Sequence, residues 1–186
     1  MREIEVKVLD VRGEELAARL LDRGARLDFD QTMHALYFDT PGRELSRRRD
    51  SLRIRREGAR VYLNYKAHLT EEEMKVKDEL ETEIGDFDTA RRILTGLGYE
   101  VWLEMEKRRR SYSIDTLPGL HFVLDRFVGE LAYVPEFLEV EADSPELLLK
   151  GLELAGFTLA QTVPWNAHDL IEHYRRREPR QESPSR

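Results

Sequence analysis

Glu3-Ile4-Glu5-Val6-Lys7 begins this chain with a charge at every second position. Side chains along a β-strand alternate between two faces. Glu3, Glu5 and Lys7 therefore project from one face, and Ile4 and Val6 from the other. A single strand of this kind usually belongs to a sheet with one wet face. Here the pattern recurs in Arg53-x-Arg55, Lys66, Glu81-x-Glu83, Lys107-x-Arg109, Asp125 and Glu139-x-Glu141. The alternate residues, such as Leu52 and Ile54 or Leu138 and Val140, are apolar in most of these strands. Helices must cover those apolar faces, which leaves the charged faces to line something else. If the charged faces converge, the acids can hold metal ions and the bases a polyphosphate.

A closed barrel satisfies this geometry, because about eight antiparallel strands can close with one face inward. The predicted fold is α+β: an eight-stranded antiparallel β-barrel tunnel with helices packed on the outside. Dry burial of so many ions would cost several kcal/mol each unless they were paired. A wet bore that accepts metals and phosphates avoids that penalty.

The remaining elements follow from periodicity and punctuation. A strand is expected over Arg2–Leu9, then a helix over Glu14–Leu21 stopped by Gly24. A second strand ends in Ala35–Thr40 and turns at Pro41-Gly42. Ser51–Arg56 and Ala59–Ala67 read as a hairpin, Leu69–Met74 as a mobile loop, and Lys77–Ile84 as a strand. Asp88 is the expected N-cap of a helix reaching Leu97. Val101–Ile114 is a long strand, with Val101, Leu103 and Met105 on the face of Lys107 and Arg109. Strands follow over His121–Val128 and Phe137–Ala142. Ser144 and Pro145 open a helix that ends before Gly156, and a last helix covers Ala167–Arg177. Residues 1–177 read as one domain, and Glu178–Arg186 as a disordered tail.

Composition narrows the function classes. The chain has 186 residues, 36% charged, with a net charge of −7. That acidity argues against general nucleic-acid binding, which rests on excess Lys and Arg. There is no cysteine, so disulfides, thiolate metal sites and cysteine nucleophiles are excluded. No signal core and no membrane-length apolar run occurs, so a soluble, cytoplasmic protein is expected, with no membrane partner. The histidines lack zinc-type spacing, and there is no Walker A motif or G-x-G-x-x-G. His68 shares parity with Lys66 and so points toward a tunnel mouth. Trp102 and Trp165 read as packing residues.

Taken in order, these motifs resemble the CYTH family of triphosphate tunnel metalloenzymes. The resemblance runs from Glu3 to Glu141 and includes Tyr37-Phe38-Asp39-Thr40-Pro41, Leu52-Arg53-Ile54-Arg55 and Phe137-Leu138-Glu139-Val140-Glu141. The family contains class IV adenylyl cyclases, thiamine triphosphatases and inorganic triphosphatases. Leu36–Lys66 looks most like its small prokaryotic members grouped with the class IV cyclases. The resemblance implies dependence on Mg²⁺ or Mn²⁺, with Glu3, Glu5, Glu139 and Glu141 as metal ligands. It also implies that Lys7, Arg53, Arg55, Lys66, Lys107 and Arg109 grip the phosphates. Lys7, Glu81, Glu83 and Asp125 are the candidate catalytic residues, the three acids orienting bases, assisting metal or positioning the nucleophile. A homodimer is compatible with the family.

Two features depart from the family pattern. Class IV cyclases tend to carry a His-Phe pair upstream of E-x-E-x-K, where Met1-Arg2 stands here. The segment Gly129–Pro135 is longer than the usual link. The expected partner is a small-molecule triphosphate, and the expected reaction is hydrolysis, which demands only the charged cage. Cyclisation of ATP to cyclic AMP and pyrophosphate is the alternative, and a non-catalytic polyphosphate-binding module is a third. The excess of carboxylates argues against the module, since a pure anion binder has no use for them.

Overall fold

The computed structural model describes residues 2–68 and 75–177, and only the backbone of residues 2, 3 and 75–78. The expected loop over Leu69–Met74, the tail over Glu178–Arg186 and the side chain of Glu3 lie outside the described residues.

Eight strands form: β1 (Arg2–Val8), β2 (Arg26–Asp39), β3 (Ser51–Glu57), β4 (Arg60–His68), β5 (Lys75–Ile84), β6 (Glu100–Ser113), β7 (Leu120–Phe127) and β8 (Phe137–Ala142). They close in the order β1-β5-β4-β3-β2-β6-β7-β8, with β8 pairing back to β1 and every pair antiparallel. The barrel expected from the sequence is therefore the fold. Among the described residues closure gives every strand two neighbours, although β2 before Met33 and β6 before Lys107 are paired on one side only. One gap remains on β1 beyond its last pair with β5, Glu5–Lys75. Val163 fills it by exchanging two backbone hydrogen bonds with Lys7, at 3.0 and 2.9 Å.

The helices are α1 (Gly13–Asp22), α2 (Glu44–Arg47), α3 (Phe87–Gly96), α4 (Pro145–Ala155) and α5 (Ala167–Arg175). α4 starts as its sequence dictates: the Ser144 hydroxyl accepts from Leu147 N–H at 3.2 Å and Pro145 follows. The cap of α3 differs from expectation. Asp86, not Asp88, accepts the Thr89 N–H, at 2.7 Å. The extended backbone of Asp86 lets its carboxylate reach forward to the open N–H groups, as an N-cap requires. α2 was not anticipated, being a single turn too short to show periodicity.

Three apolar clusters hold the molecule together. The first joins Ile4, Val6, Val8, Leu120, Phe122, Leu138 and Val140 from the outer face of β1, β7 and β8 to Leu16 and Leu20 of α1 and Leu148 and Leu152 of α4. The second joins Leu36, Phe38 and Ile54 on the outer face to Phe87 and Leu94 around α3. The third lies inside the barrel. Ala35, Met105, Phe127 and Phe137 face inward, and Leu170, Ile171 and Tyr174 of α5 pack on them. The expected change from apolar to cationic along the inward face of β6 is thus part of a wider apolar region of the bore. One end of the bore is apolar and covered by α5. Burial of each large side chain there contributes about 1.5–3 kcal/mol.

Candidate active site

Register places the charges. Across β1 and β8, Glu5 stands opposite Glu141 and Lys7 opposite Glu139. Across β3, β4 and β5, Arg53 pairs with Asn64 and Asn64 with Glu81, while Lys66 pairs with Ser51 and Glu79. Lys107 and Arg109 share a face with Phe127 and Asp125 of β7. The alternate residues of the same basic run, Arg108 and Arg110, point outward to Asp30 and to Glu14 and Glu136. The run Lys107–Arg110 is thus split by the pleat, two cations inside and two outside.

The inward charges surround a cavity of about 560 Å³. Eight of the expected site residues line it: Glu5, Lys7, Arg53, Lys66, Lys107, Arg109, Glu139 and Glu141. Arg55 and Glu81 lie further along the bore, 3.2 Å apart, and Arg55 also meets Glu57 at 2.8 Å. Glu83 opposes Tyr62 nearer the far end and is exposed. Asp125 is fully buried behind the cavity wall. It forks onto Arg109, at 2.8 Å to Nε and 2.6 Å to Nη2, and also accepts from the Lys107 ammonium. Asp125 therefore orients two bases from behind the wall.

A continuous ionic chain crosses the wall. Glu139 accepts Lys7 Nζ at 2.9 Å and Arg109 Nη2 at 2.9 Å, and Arg109 reaches Asp125. Burial alone would raise the Glu139 carboxyl, but the charges of Lys7, Arg109 and Lys107 hold it far below the ordinary value. Burial would likewise lower Lys7, yet Glu139 and Glu5 keep its ammonium well above its ordinary value. At neutral pH Lys7 is a fixed cation and Glu139 a fixed anion, so neither takes up or gives up a proton there.

Arg53 is different. Its guanidinium donates to the Tyr37 hydroxyl at 3.2 Å, and its buried Nε has no hydrogen-bond partner. Among the described residues no carboxylate lies within ion-pair distance of it, while Lys66 and Arg109 line the same cavity. Burial disfavours ionisation of Tyr37, but the charges of Arg53 and Lys107 outweigh it and hold the phenol below its ordinary value.

Glu5, Glu139 and Glu141 stand on the adjoining strands β1 and β8 with Lys7 among them, while Arg53 and Lys66 stand on β3 and β4 across the barrel, with Glu79 beside Lys66. Like charges directly opposite in a ladder repel. Glu5 facing Glu141 is therefore a pair that a cation between them would stabilise, and an all-oxygen donor set suits a hard divalent ion. Among the described residues no three such ligands already converge. The chemistry of the pair fits a metal that completes its shell with substrate oxygens and water.

Several wall residues were not singled out in the sequence. Glu79 pairs with Lys66 at 2.8 Å and accepts from Asn64. Its period-two spacing to Glu81 would have found it. Tyr37 sits in an apolar-looking strand, and only the strand pairing shows that it faces Arg53. A register shift between Tyr37 and Phe38 also corrects the reading of β6. Val101 leaves the Leu103 and Met105 face and packs with the outer cluster of Leu36 and Phe38, and Trp102 enters the cavity wall. His68 lines the cavity as expected; Trp165 and the start of α5 line it too, although Trp102 and Trp165 read as packing residues in the sequence.

A closed antiparallel tunnel lined by interleaved carboxylates and cations has the architecture of the triphosphate tunnel proteins. The chain belongs to the CYTH domain family, which matches it over residues 1–160. Members of this family are triphosphatase-like or adenylyl cyclase-like enzymes, and the family implies a divalent metal. A relative from Methanocaldococcus jannaschii named "Putative adenylate cyclase" is 26% identical over 132 residues, 67% of this chain and 75% of its own. The solved structure of a Pyrococcus horikoshii protein superposes with a TM-score of 0.75 at 25% identity, covering 91% of this chain and 99% of that one. A "putative adenylate cyclase" structure from Vibrio parahaemolyticus gives 0.76 at 18% identity, covering 91% and 97%, and shares the fold. Among the described residues no helix is long and apolar enough to cross a membrane.

Proposed function

We propose that this chain hydrolyses a small triphosphate with Mg²⁺ or Mn²⁺ as cofactor. The observation that carries the reading is Arg53, a guanidinium with a buried, unpartnered Nε on the wall of a cavity that also holds Lys7, Lys66, Lys107 and Arg109. Such a group is costly unless an anion completes it. Phosphate oxygens match the forked donors of Arg and the compact charge of Lys.

In this reading Arg53, Lys66, Lys107 and Arg109 clamp the non-bridging oxygens. Asp125 and Glu139 hold Arg109 in one orientation, and Lys7 adds a fixed positive charge. Glu5 and Glu141, with Glu3 on the same strand face, would hold the cation, which supplies charge neutralisation at the phosphates and activation of water. Phosphoryl transfer needs chiefly positioning and charge stabilisation, and these residues supply both without a covalent nucleophile. Water as the attacking group asks nothing more of the wall. The name of the Methanocaldococcus relative favours a second reading, in which the attacking group is the 3′-hydroxyl of ATP.

The test offers inorganic triphosphate, ATP and thiamine triphosphate separately, each with Mg²⁺ or Mn²⁺, and identifies products. Orthophosphate release is expected, and cyclic AMP with pyrophosphate would establish the second reading. Arg53→Met should lower kcat/KM about ten-fold or more, the scale of charged hydrogen bonds, with the unfolding midpoint unchanged or raised. Full activity in Arg53→Met, or no product from any triphosphate, would overturn the proposal.

A further inference from the structure

Among the described residues three polar side chains are fully buried: Asp39, Asn64 and Asp125. Asp39 organises the turn into α2, accepting the backbone N–H groups of Thr40, Leu45 and Ser46. Asp125 orients Lys107 and Arg109. Asn64 is the neutral one of the three. It stands on β4 and Asp125 on β7, and those strands lie on opposite sides of the bore in the closed order of the barrel.

The Nδ2 of Asn64 donates to Glu79 Oε1 and, at 3.2 Å, to Glu81 Oε2. A carboxamide nitrogen carries two N–H donors, so both are spent on carboxylates. Turned over, the amide would set its oxygen against two anions, so Glu79 and Glu81 fix its orientation. Each carboxylate also holds a base. Glu79 gives its other oxygen to Lys66 Nζ at 2.8 Å, and Glu81 meets Arg55 Nη2 at 3.2 Å. Lys66 lines the cavity, and Arg55 is two residues along β3 from Arg53, on the same face. A cation at position 64 would compete with Lys66 and Arg55 for the two carboxylates, and an anion would repel them. A neutral donor fixes both carboxylates and leaves their charge for the bases. The amide comes at a cost. Its Oδ1 is buried with no hydrogen-bond partner, and an unsatisfied buried acceptor destabilises a fold. A polar group kept at a loss to stability is explained by a task at the site.

We infer that Asn64 is a positioning residue for the phosphate-binding bases of β3 and β4. It pins Glu79 and Glu81, and these hold Lys66 and Arg55 in the orientation that meets phosphate oxygens. It is the neutral counterpart of Asp125, which fixes Lys107 and Arg109 directly. The difference follows from charge, since Asp125 sits among cations and Asn64 between carboxylates. This rests on the triphosphate reading of the cavity.

The experiment takes whichever of inorganic triphosphate, ATP and thiamine triphosphate the wild type turns over fastest with Mg²⁺. It measures kcat, KM and the unfolding midpoint in wild type, Asn64→Leu, Glu79→Gln and the double variant. Asn64→Leu removes both donors, and its kcat/KM should fall about ten-fold, the scale of hydrogen bonds to charged groups. The loss should lie mainly in KM, because the bases grip phosphate in the ground state as well as in the transition state. The two single losses should not multiply. In the Glu79→Gln background Asn64→Leu should cost less than about three-fold, since residues of one network couple. A lower midpoint with kcat and KM of the folded enzyme unchanged would show a structural role only and overturn the inference. So would losses that multiply in full. If Asn64→Leu fails to fold, Asn64→Ser decides, being smaller and keeping one donor. A loss of about three-fold there supports the role, and wild-type constants overturn it. If the wild type turns over no triphosphate, the hydrolytic reading falls alone, and the affinity of the same variants for inorganic triphosphate with Mg²⁺ is compared by calorimetry. Binding about ten-fold weaker in Asn64→Leu supports the positioning role, equal binding overturns it, and no binding by the wild type ends both readings.

Discussion

Glu139 joins two cations of the wall, Lys7 and Arg109, and is 7% exposed. Removing one partner of a buried network leaves the others uncompensated, at about 3–5 kcal/mol. Glu139→Gln should therefore unfold at a lower urea concentration at pH 7. The folded carboxyl is held below its ordinary value, so its contribution is complete above that value and is lost as pH falls. The gap between wild type and Glu139→Gln should narrow below about pH 5, and urea titrations at several pH values measure it. A gap independent of pH would show that the charge of Glu139 stabilises nothing. The positions of Glu5, Lys7, Arg53, Lys66, Lys107, Arg109, Glu139 and Glu141 were legible because side-chain parity is a local property of a strand. Their division of labour was not. Asp125 and Glu139 lock bases, whereas Arg53 is left open to an anion, and that distinction depends on neighbours one to seven strands apart in the chain.

Among the elements, α4 is the one whose sequence and packing agree most closely. Its cap, its proline and its terminal Gly156 at φ 85° are all local signals. Gly151 has a tertiary reason instead. A Cβ there would lie 2.6 Å from Leu120 Cδ1 and 2.9 Å from Val140 Cγ1, so the missing side chain lets α4 lie close on β7 and β8. Gly151→Leu should destabilise the protein by about 1–3 kcal/mol or more through overpacking, seen as a lower midpoint in chemical denaturation. An unchanged midpoint would show that α4 can lift off the sheet freely. Elements set by tertiary contacts escaped the sequence. α2 and the β6 bulge have no periodic signature, and the amphipathic stripe of α5 does not tell whether it covers the barrel or enters it.

For the molecule as a whole, one cavity holds both the carboxylates of β1 and β8 and the cations of β3, β4 and β6. Glu5 opposes Glu141, and Arg53 shares a cavity with Lys66 and Arg109. Inorganic triphosphate or ATP with Mg²⁺, at about a hundred times its dissociation constant, should stabilise the fold by about 2.7 kcal/mol. The shift should exceed the sum of those from metal and triphosphate alone, and EDTA should remove the excess. Thermal unfolding followed by circular dichroism checks this. Equal shifts with and without EDTA would show that the carboxylates hold no metal.

What the sequence determined by itself was the alternation: which residues share a face, that many strands carry charge on one face and apolar residues on the other, and hence that the sheet must close. Those follow from a two-residue period that each strand expresses independently. The tertiary structure alone decided the rest. Closure brings β8 beside β1 and sets Glu5 against Glu141, a bulge turns Trp102 inward, and α5 occupies one end of the bore. Each of these depends on residues far apart in the chain, whose pairing is a property of the closed barrel and is written in no local stretch.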